Sequence, residues 1–383
     1  MHKNGRIWGN LIKTNIWRKK MISKNEITIN QIIFIFLLSI GLVNHVQMIP
    51  LLLNTSRKDS WMAVLIALPI CILIVCVVGF LLKKVNKLHF LVWIERKSNR
   101  FVACVVGIIF WCIFLLNSYL TSRGVIEWTQ VTYLKKTPIF VTTLVLLGLV
   151  VYLVQKGLRT IGIVAGVLLP FVVLAGYFVM TANFQFKDYQ LLRPFLTTSI
   201  TEISWTTLYV LSSTIELISV LFIQHRANHR IKTKHLILLS FFLISLTIGP
   251  LMGSVAAFGL FSQTMRYPAF EQWLLVQLGD YISNVDFLSI YQWLSGAFVR
   301  LAFELYLMGE IFAYVFKVKK LIYFYLVMTL ILIGFTAFPV IIVMDVISFY
   351  EVYMPTLFII YIVMIILFTL LTFVTKSKGR ESM

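Results

Sequence analysis

The sequence predicts an all-α polytopic membrane protein with ten transmembrane helices. Its 383 residues are 60% hydrophobic and 13% charged, whereas soluble domains are about 25% charged. The mean hydropathy is +0.91. A helix needs about 20 apolar residues to cross a hydrocarbon layer of roughly 30 Å. Ten apolar runs meet this need, at residues 29–49, 61–82, 101–122, 138–154, 161–182, 203–223, 236–261, 287–316, 321–344 and 352–375, and they are called spans 1 to 10.

The distribution of positive charge orients these spans. Both termini and the loops after spans 2, 4, 6 and 8 hold 25 of the 34 Lys and Arg residues. Cytoplasmic loops are enriched in these residues, so both termini are predicted to be cytoplasmic. The net charge of +19 is therefore mostly a topology signal, which argues against nucleic-acid binding. Residues 1–20 form a basic N-terminal tail without a secretory signal pattern, and residues 21–383 form a single transmembrane domain.

Ten spans divide into two halves of five, and an odd number per half makes the halves enter the membrane from opposite faces, as in a 5+5 inverted repeat. The first helix of each half carries a polar cluster, and Pro50 is expected to end span 1. Interrupted helices expose backbone N–H and C=O groups that can bind a carboxylate and an ammonium. The alternative is that the hydroxyls bond back to their own helix. The ligand-binding residues predicted from these clusters are Gly41, Asn44, His45, Ser212, Ser213, Thr214 and Glu216.

Small residues four positions apart occur in spans 5 and 7, at Gly162 and Gly166 and at Gly249 and Gly253. Such spacing lets membrane helices approach closely, so we expect helix packing there. The outer loop at residues 261–286 mixes aromatic and polar residues, which predicts a short helix lying in the membrane interface.

Span 8 contains charged residues near its middle. Arg300 and Glu304 are one helical turn apart, so they can neutralise each other inside the membrane. We predict an intramembrane ion pair, which leaves a structural clamp, a proton relay and a gate as alternative roles.

Neither a metal site nor a catalytic site is expected. His225 and His229 have a four-residue spacing that suits metal ligands, but the Lys and Arg residues around them would repel a cation. The four cysteines lie in apolar runs and suggest neither a disulfide framework nor a metal site. No nucleophile elbow, P-loop or dinucleotide-binding pattern is present. We therefore expect no enzyme activity and no cofactor.

Several stretches in order along the chain carry a family resemblance. They are ISKNEITINQ (Ile22 to Gln31), NHVQMIPLLL, RKDSW (Arg57 to Trp61), RYPAFE (Arg266 to Glu271) and WLSGAFVRLAFELY (Trp293 to Tyr306). Together they resemble the B subunits of spore germination receptors. This family of endospore germination permeases is related to the amino acid/polyamine/organocation transporters. The chain has Asn44 and His45 where many members carry a glycine pair.

The resemblance implies a leucine-transporter-like fold with broken helices 1 and 6. It implies a transporter-like sensor in the inner membrane of a bacterial endospore, which binds a small germinant such as an amino acid. Its partners would be a larger A subunit, a C-subunit lipoprotein and membrane lipids, and it would signal toward ion and dipicolinate release. A proton- or sodium-coupled amino acid permease is the alternative, and a structural membrane protein without a ligand is a remote third.

Overall fold

The structure is a computed structural model that describes residues 26–277, 285–338 and 346–374. These residues are almost entirely helical. The predicted tail at residues 1–20 lies outside them. The helices are α1 (Ile29–Leu42), α2 (Met48–Ser56), α3 (Ser60–Val85), α4 (Phe90–Lys97), α5 (Arg100–Thr132), α6 (Ile139–Gln155), α7 (Leu158–Ala182), α8 (Ile200–Thr214), α9 (Val220–Ile223), α10 (Thr233–Phe258), α11 (Pro268–Leu274), α12 (Phe287–Phe316), α13 (Ile322–Ala337) and α14 (Val346–Phe373).

Every predicted span coincides with helix in the described residues. Six helical stretches there are long and apolar enough to cross a membrane, while α6 and α13 are apolar but shorter. Large apolar side chains such as Leu73, Val167 and Leu370 are more than half exposed on the outside of the bundle, as expected of surfaces that face lipid. The chain is therefore a multi-pass membrane protein. The six stretches are Ile29–Val85, Arg100–Thr132, Leu158–Ala182, Ile200–Arg226, Thr233–Gln263 and Ile347–Phe373.

Local sequence signals set the starts of the two helices that matter most for the site. Thr28 and Gln31 form a capping box at the start of α1, and Ser199 and Glu202 form another at the start of α8. Each box satisfies backbone N–H groups that the first helical turn leaves unpaired.

Helix α12 lies at the centre of the bundle. It packs against α1, α5, α6 and α7, and its middle is buried on all sides, from Val299 to Gly309. A charged residue in this stretch is therefore surrounded by protein on every side rather than by lipid. The position of α12 sets which side chains meet Arg300 and Glu304.

The segments α1–α2 and α8–α9 lie side by side and run in opposite directions. At one end Ile27 donates its backbone N–H to Arg226 O at 3.0 Å, within an isolated parallel β-bridge. At the other end the backbone N–H of Thr197 donates to Asp59 Oδ2 at 2.6 Å. The start of α1–α2 thus lies beside the end of α8–α9, and the end of α1–α2 lies beside the start of α8–α9.

The prediction that Pro50 ends the first span is wrong. Pro50 lies in the first turn of α2, and the helix continues to Ser56. A proline in the first turn of a helix costs little stability, because the N–H groups of that turn have no hydrogen-bond partner within the helix. The turn to the next span instead falls at Arg57, whose φ of 49° is outside the helical region.

The two glycine pairs differ in how closely other helices approach them. A Cβ on Gly162 would lie 2.8 Å from the Gln31 side chain, so α7 and α1 do approach closely there, as predicted. A Cβ on Gly249 would meet nothing within 4 Å, so the packing role expected for that glycine is wrong. Gly249 instead lines a cavity.

The predicted short helix in the outer loop is present as α11, at Pro268–Leu274. Its aromatic side chains do not lie in an interface, because Phe270 and Trp273 are buried against the bundle. Phe270 stacks on Trp293 of α12 with ring centroids 4.7 Å apart. The helix is therefore part of the packed protein core.

Candidate functional site

The helical geometry changes in both segments that carry the predicted polar clusters. A π-helical turn at Val43–Gln47 joins α1 to α2, and a 3₁₀ turn at Ile215–Ser219 joins α8 to α9. Sequence reasoning predicted unwound backbone with free N–H groups. The described backbone stays helical instead, with altered hydrogen-bond spacing, so backbone donors for a ligand are fewer than expected. Such irregular turns inside helices are frequent at functional sites.

The two polar clusters touch each other directly. Asn44 Nδ2 donates to Thr214 Oγ1 at 3.3 Å, with both residues buried. Ser213 and Thr214 donate their hydroxyls to Val210 O in their own helix, which is the alternative that the sequence left open. Ser212 Oγ donates to Met354 O of α14 at 2.7 Å. These hydroxyls are therefore largely occupied within the protein.

A charged triad lies beside this contact. The guanidinium of Arg300 donates to both oxygens of Glu216 at 3.0 Å, and its Nη2 lies 2.9 Å from Glu304 Oε1. The ion pair expected between Arg300 and Glu304 is thus present, and Glu216, expected beside a ligand, is the second carboxylate. Ser118 donates to Glu304 Oε2, and Thr121 accepts from Arg300 Nε. All three charged side chains are at most 4% exposed.

The triad has one positive and two negative charges when all its members are ionised. Charges buried in protein are tolerated only when they are paired and hydrogen-bonded. Arg300 is shared by both carboxylates, and its Nη1 also donates to Ser39 O on α1. The triad therefore connects α1, α5, α8–α9 and α12, and it has one negative charge in excess when both carboxylates are ionised.

A small polar cavity borders the triad. Its volume is about 10 Å³, which is close to the minimum that holds one water molecule. Glu216, Arg300 and Ser213 form part of its wall. The other lining residues are Val43, Gln47, Asn117, Leu120, Tyr350, Tyr353, Met354 and Leu357.

Two side-chain amides in this wall have unused donors. Tyr353 donates to Asn117 Oδ1 at 2.6 Å, and Tyr350 donates to Gln47 Oε1 at 3.5 Å. The Nδ2 of Asn117 and the Nε2 of Gln47 are buried and have no hydrogen-bond partner among the described residues. Buried polar groups without partners are uncommon and call for an explanation. Two unused N–H₂ groups beside Arg300 are well suited to binding a carboxylate.

Gly41 and His45 line a different cavity. It lies on the other side of the π-helical turn, between α1, α7, α10, α11 and α12, and its volume is about 400 Å³. Its wall is mostly apolar, with a few polar side chains that include Gln272 and Gln292. Of the seven residues predicted as one ligand site, two line the small polar cavity (Ser213 and Glu216), two line the large apolar one (Gly41 and His45), and three line neither (Asn44, Ser212 and Thr214).

Sequence reasoning did not include Asn117, Tyr350, Tyr353 or Gln47 among the site residues. Asn117 is an amide within predicted span 3, which is a detectable signal. The tyrosines give no such signal, because Tyr is common near the ends of membrane helices. Their approach to the amides depends on how α14 packs against the other helices.

The chain matches a known family over most of its length. The family model described as "Spore germination protein" matches residues 22–345. The chain belongs to this spore germination permease family. The family is transporter-like and is not an enzyme family.

A curated relative and a solved structure agree with this family. The chain is 34% identical to Spore germination protein XB of Bacillus anthracis over 282 residues, which cover 73% of this chain and 79% of the relative. The fold is similar to the crystal structure of the Eremococcus coleocola manganese transporter in complex with an aromatic bis-isothiourea substituted compound. That similarity has a TM-score of 0.51 at 12% identity and covers 93% of this chain and 79% of the transporter. The protein is thus a germination-related membrane protein with a transporter-like fold.

Proposed function

We propose that this protein is the B subunit of a spore germinant receptor, a transporter-like sensor that binds a small zwitterionic germinant, with an amino acid as the leading candidate. The observation that carries the proposal is the pair of unused amide donors at Asn117 and Gln47 beside Arg300. These groups would hold the carboxylate of the germinant. The excess negative charge of Glu216 and Glu304 would attract its ammonium.

The site would open when the germinant binds. A cavity of about 10 Å³ is far smaller than an amino acid, so binding requires the walls to separate. The π-helical turn at Val43–Gln47 contributes its first and last residues to these walls, and the 3₁₀ turn at Ile215–Ser219 contributes Glu216. In this proposal a germinant selects the expanded arrangement, and the movement of these two segments is the signal.

We also propose the arrangement in the membrane. The ten predicted spans would form a 5+5 inverted repeat, which the antiparallel course of α1–α2 and α8–α9 supports. The charge bias supports cytoplasmic termini. Family membership supports a location in the spore inner membrane and assembly with an A subunit and a C-subunit lipoprotein.

Replacement of Gln47 by Met tests the site. The side chains are similar in size, but Gln47→Met removes the unused donor and breaks only the long contact from Tyr350. Loss of one charge-assisted hydrogen bond of about 1.5–3 kcal/mol would raise the germinant concentration for half response by roughly tenfold to a hundredfold. Dipicolinate release from spores over a range of amino acid concentrations measures this shift, with immunoblots to confirm equal protein. An unchanged half-response concentration would contradict the assignment of the site.

The second candidate is a proton- or sodium-coupled amino acid permease, and the similarity to a transporter fold favours it. Uptake of labelled amino acids by vesicles that contain this chain alone distinguishes the two functions. A sensor is expected to bind without accumulating the ligand. Concentrative uptake that depends on a proton or sodium gradient would establish the permease and contradict the sensor.

A further inference from the structure

A second polar cluster lies away from the triad, where the loop before α4, the turn after α9 and the last third of α12 meet. It consists of His89, His225 and Glu310. The Nε2 of His225 lies 3.5 Å from Glu310 Oε2, and the Nε2 of His89 lies 3.9 Å from the same oxygen. One ligand atom from each residue lies within 4.8 Å of the other two. The structure therefore pairs His225 with His89, not with His229, which is exposed.

The carboxylate of Glu310 is held so that one oxygen is left for the imidazoles. Its Oε1 accepts from the Tyr306 hydroxyl at 3.0 Å and from Arg226 Nη2 at 3.3 Å. Its Oε2 faces the two histidines. Carboxylates that bind metals through one oxygen are commonly fixed by hydrogen bonds to the other.

The histidines are also positioned for a shared ligand. The ring of His89 stacks on Tyr314 with centroids 5.8 Å apart, and the Tyr314 hydroxyl donates to Glu95 at 2.6 Å. Both imidazoles turn Nε2 toward Glu310, while each Nδ1 is buried without a hydrogen-bond partner among the described residues.

Two of the basic residues that argued against a metal at the sequence level, Arg226 and Arg230, have partners in the structure. Arg226 donates to the oxygen of Glu310 that faces away from the histidines. Arg230 donates to Lys83 O at 3.0 Å. Their positive charge still disfavours weakly held cations such as Ca²⁺ or Mg²⁺, which also prefer oxygen ligands. Two imidazoles and one carboxylate instead match ions of the zinc type.

We propose that His89, His225 and Glu310 form a site for a divalent transition-metal ion, with Zn²⁺ as the best match and a fourth position open to water. Tetrahedral zinc with bonds of about 2.0–2.1 Å places its ligand atoms about 3.3 Å apart. The observed separations of 3.5 and 3.9 Å from the Glu310 oxygen need only a small contraction. The ion would join the loop before α4, the end of the α8–α9 segment and α12, which also carries Arg300 and Glu304. It would thus restrain the α8–α9 segment, one of the two segments whose movement the proposed function invokes, although the site itself does not depend on that function.

Metal binding to the full-length protein purified in detergent tests this proposal. After dialysis against Zn²⁺ or Co²⁺, atomic emission should find one ion per chain, and the Co²⁺ form should show the intense visible bands of a tetrahedral site. His89→Asn and His225→Asn, which lie on separate segments, should each lower the metal affinity by at least ~100-fold, since loss of an outer-shell partner alone costs 10–100-fold. His229→Asn is the matched control and should bind like the wild type.

Cu²⁺ bound to the unmodified protein provides a measurement that does not depend on the folding of any variant. Its electron paramagnetic resonance spectrum should show coupling to imidazole nitrogens from two histidines. Absence of stoichiometric metal in the wild type, a spectrum without nitrogen coupling, or an equal loss of affinity in His229→Asn would each overturn the proposal. A smaller loss of affinity in a Tyr306→Phe variant, at roughly tenfold, would support the role of Glu310 as the third ligand.

Discussion

The cavity beside Arg300 has a volume of about 10 Å³, whereas the cavity beside His45 has a volume of about 400 Å³. Both border the same π-helical turn, which directs Val43 and Gln47 to the first cavity and His45 to the second. The small cavity has charged residues and unused amide donors in its wall, while the wall of the large one is mostly apolar. Recognition of a zwitterion depends on placed polar groups, so the smaller cavity is the better site although the larger one has more room.

The two cavities also differ in where their charged side chains lie. The triad holds two carboxylates against one guanidinium at the centre of the bundle. The large cavity has Lys187 at its margin, and burial lowers the pKa of that lysine, which lies in the connection between α7 and α8. The triad binds helices together, so its structural role can be tested separately from the binding of a ligand.

The largest expected effect follows from Arg300→Gln. This change leaves Glu216 and Glu304 buried side by side without a cation, and breaking a buried ion pair in this way costs about 3–5 kcal/mol. The amount of protein in the membrane should fall severely, as measured by immunoblot of membrane fractions. Addition of Glu216→Gln and Glu304→Gln should restore part of it. Normal abundance of the Arg300→Gln single variant would show that the triad does not hold the fold together.

Replacement of either carboxylate of the triad should cost less stability than replacement of Arg300, and the two replacements should differ from each other. Either Glu→Gln change leaves a neutral pair, because Arg300 keeps the other partner. Glu216 accepts two hydrogen bonds from Arg300, whereas Glu304 makes one close contact with it and accepts from Ser118. We therefore expect Glu216→Gln to lower the free energy of unfolding in detergent by more than Glu304→Gln, with a difference of about 1–3 kcal/mol. Thermal melting of the two variants measures this order. The reverse order would make Glu304 the main partner of Arg300.

The third prediction compares the two cavities directly. Asn117→Leu keeps the branched shape of the side chain but removes the unused donor from the small cavity, together with the acceptor of Tyr353. Gly249→Leu adds bulk to the large cavity, at a position where an added Cβ meets no atom within 4 Å. Asn117→Leu should raise the germinant concentration for half response about tenfold or more, equivalent to about 1.4 kcal/mol. Gly249→Leu should leave it unchanged. If Gly249→Leu alone impairs the response at equal protein level, the ligand binds in the apolar cavity.

The smallest effect concerns Asp59, which ties the turn after α2 to the start of α8. Burial raises the pKa of its carboxyl, but hydrogen bonds from Thr197 and Thr198 outweigh burial and leave the pKa below the ordinary value of 3.8. A lowered folded-state pKa gives stability that is present above pH 3.8 and lost as the pH falls through the folded value. Asp59→Asn should therefore cost about 1 kcal/mol at neutral pH.

Thermal unfolding of the Asp59→Asn variant and the wild type across pH measures this cost. The difference between them should be constant from neutral pH to about pH 5 and should shrink in acid below pH 3.8. A difference that grows as the pH falls would contradict the assignment of a lowered pKa to Asp59.

Sequence patterns predicted the helices well because a segment that lies in lipid has to be apolar along its length. Each apolar run coincides with helix in the described residues, and the capping residues Thr28 and Ser199 mark two starts. The ion pair of Arg300 with Glu304 was predictable because residues four apart in a helix share a face. The inner position of Asn44 was also predictable, because an amide is costly in lipid. These properties depend on neighbours along the chain or on the membrane.

Only the tertiary structure decided which helices bring their polar groups together. Glu216 and Arg300 are 84 positions apart, and their pairing depends on the packing of α8–α9 against α12. The approach of Tyr353 to Asn117 spans 236 positions, and His89 meets Glu310 across a loop and a helix end. The separation of His45 from Asn44 into different surroundings arises because adjacent helical residues point about 100° apart. Sequence spacing determines which side chains share one helix face, but the packing between helices determines what each face meets.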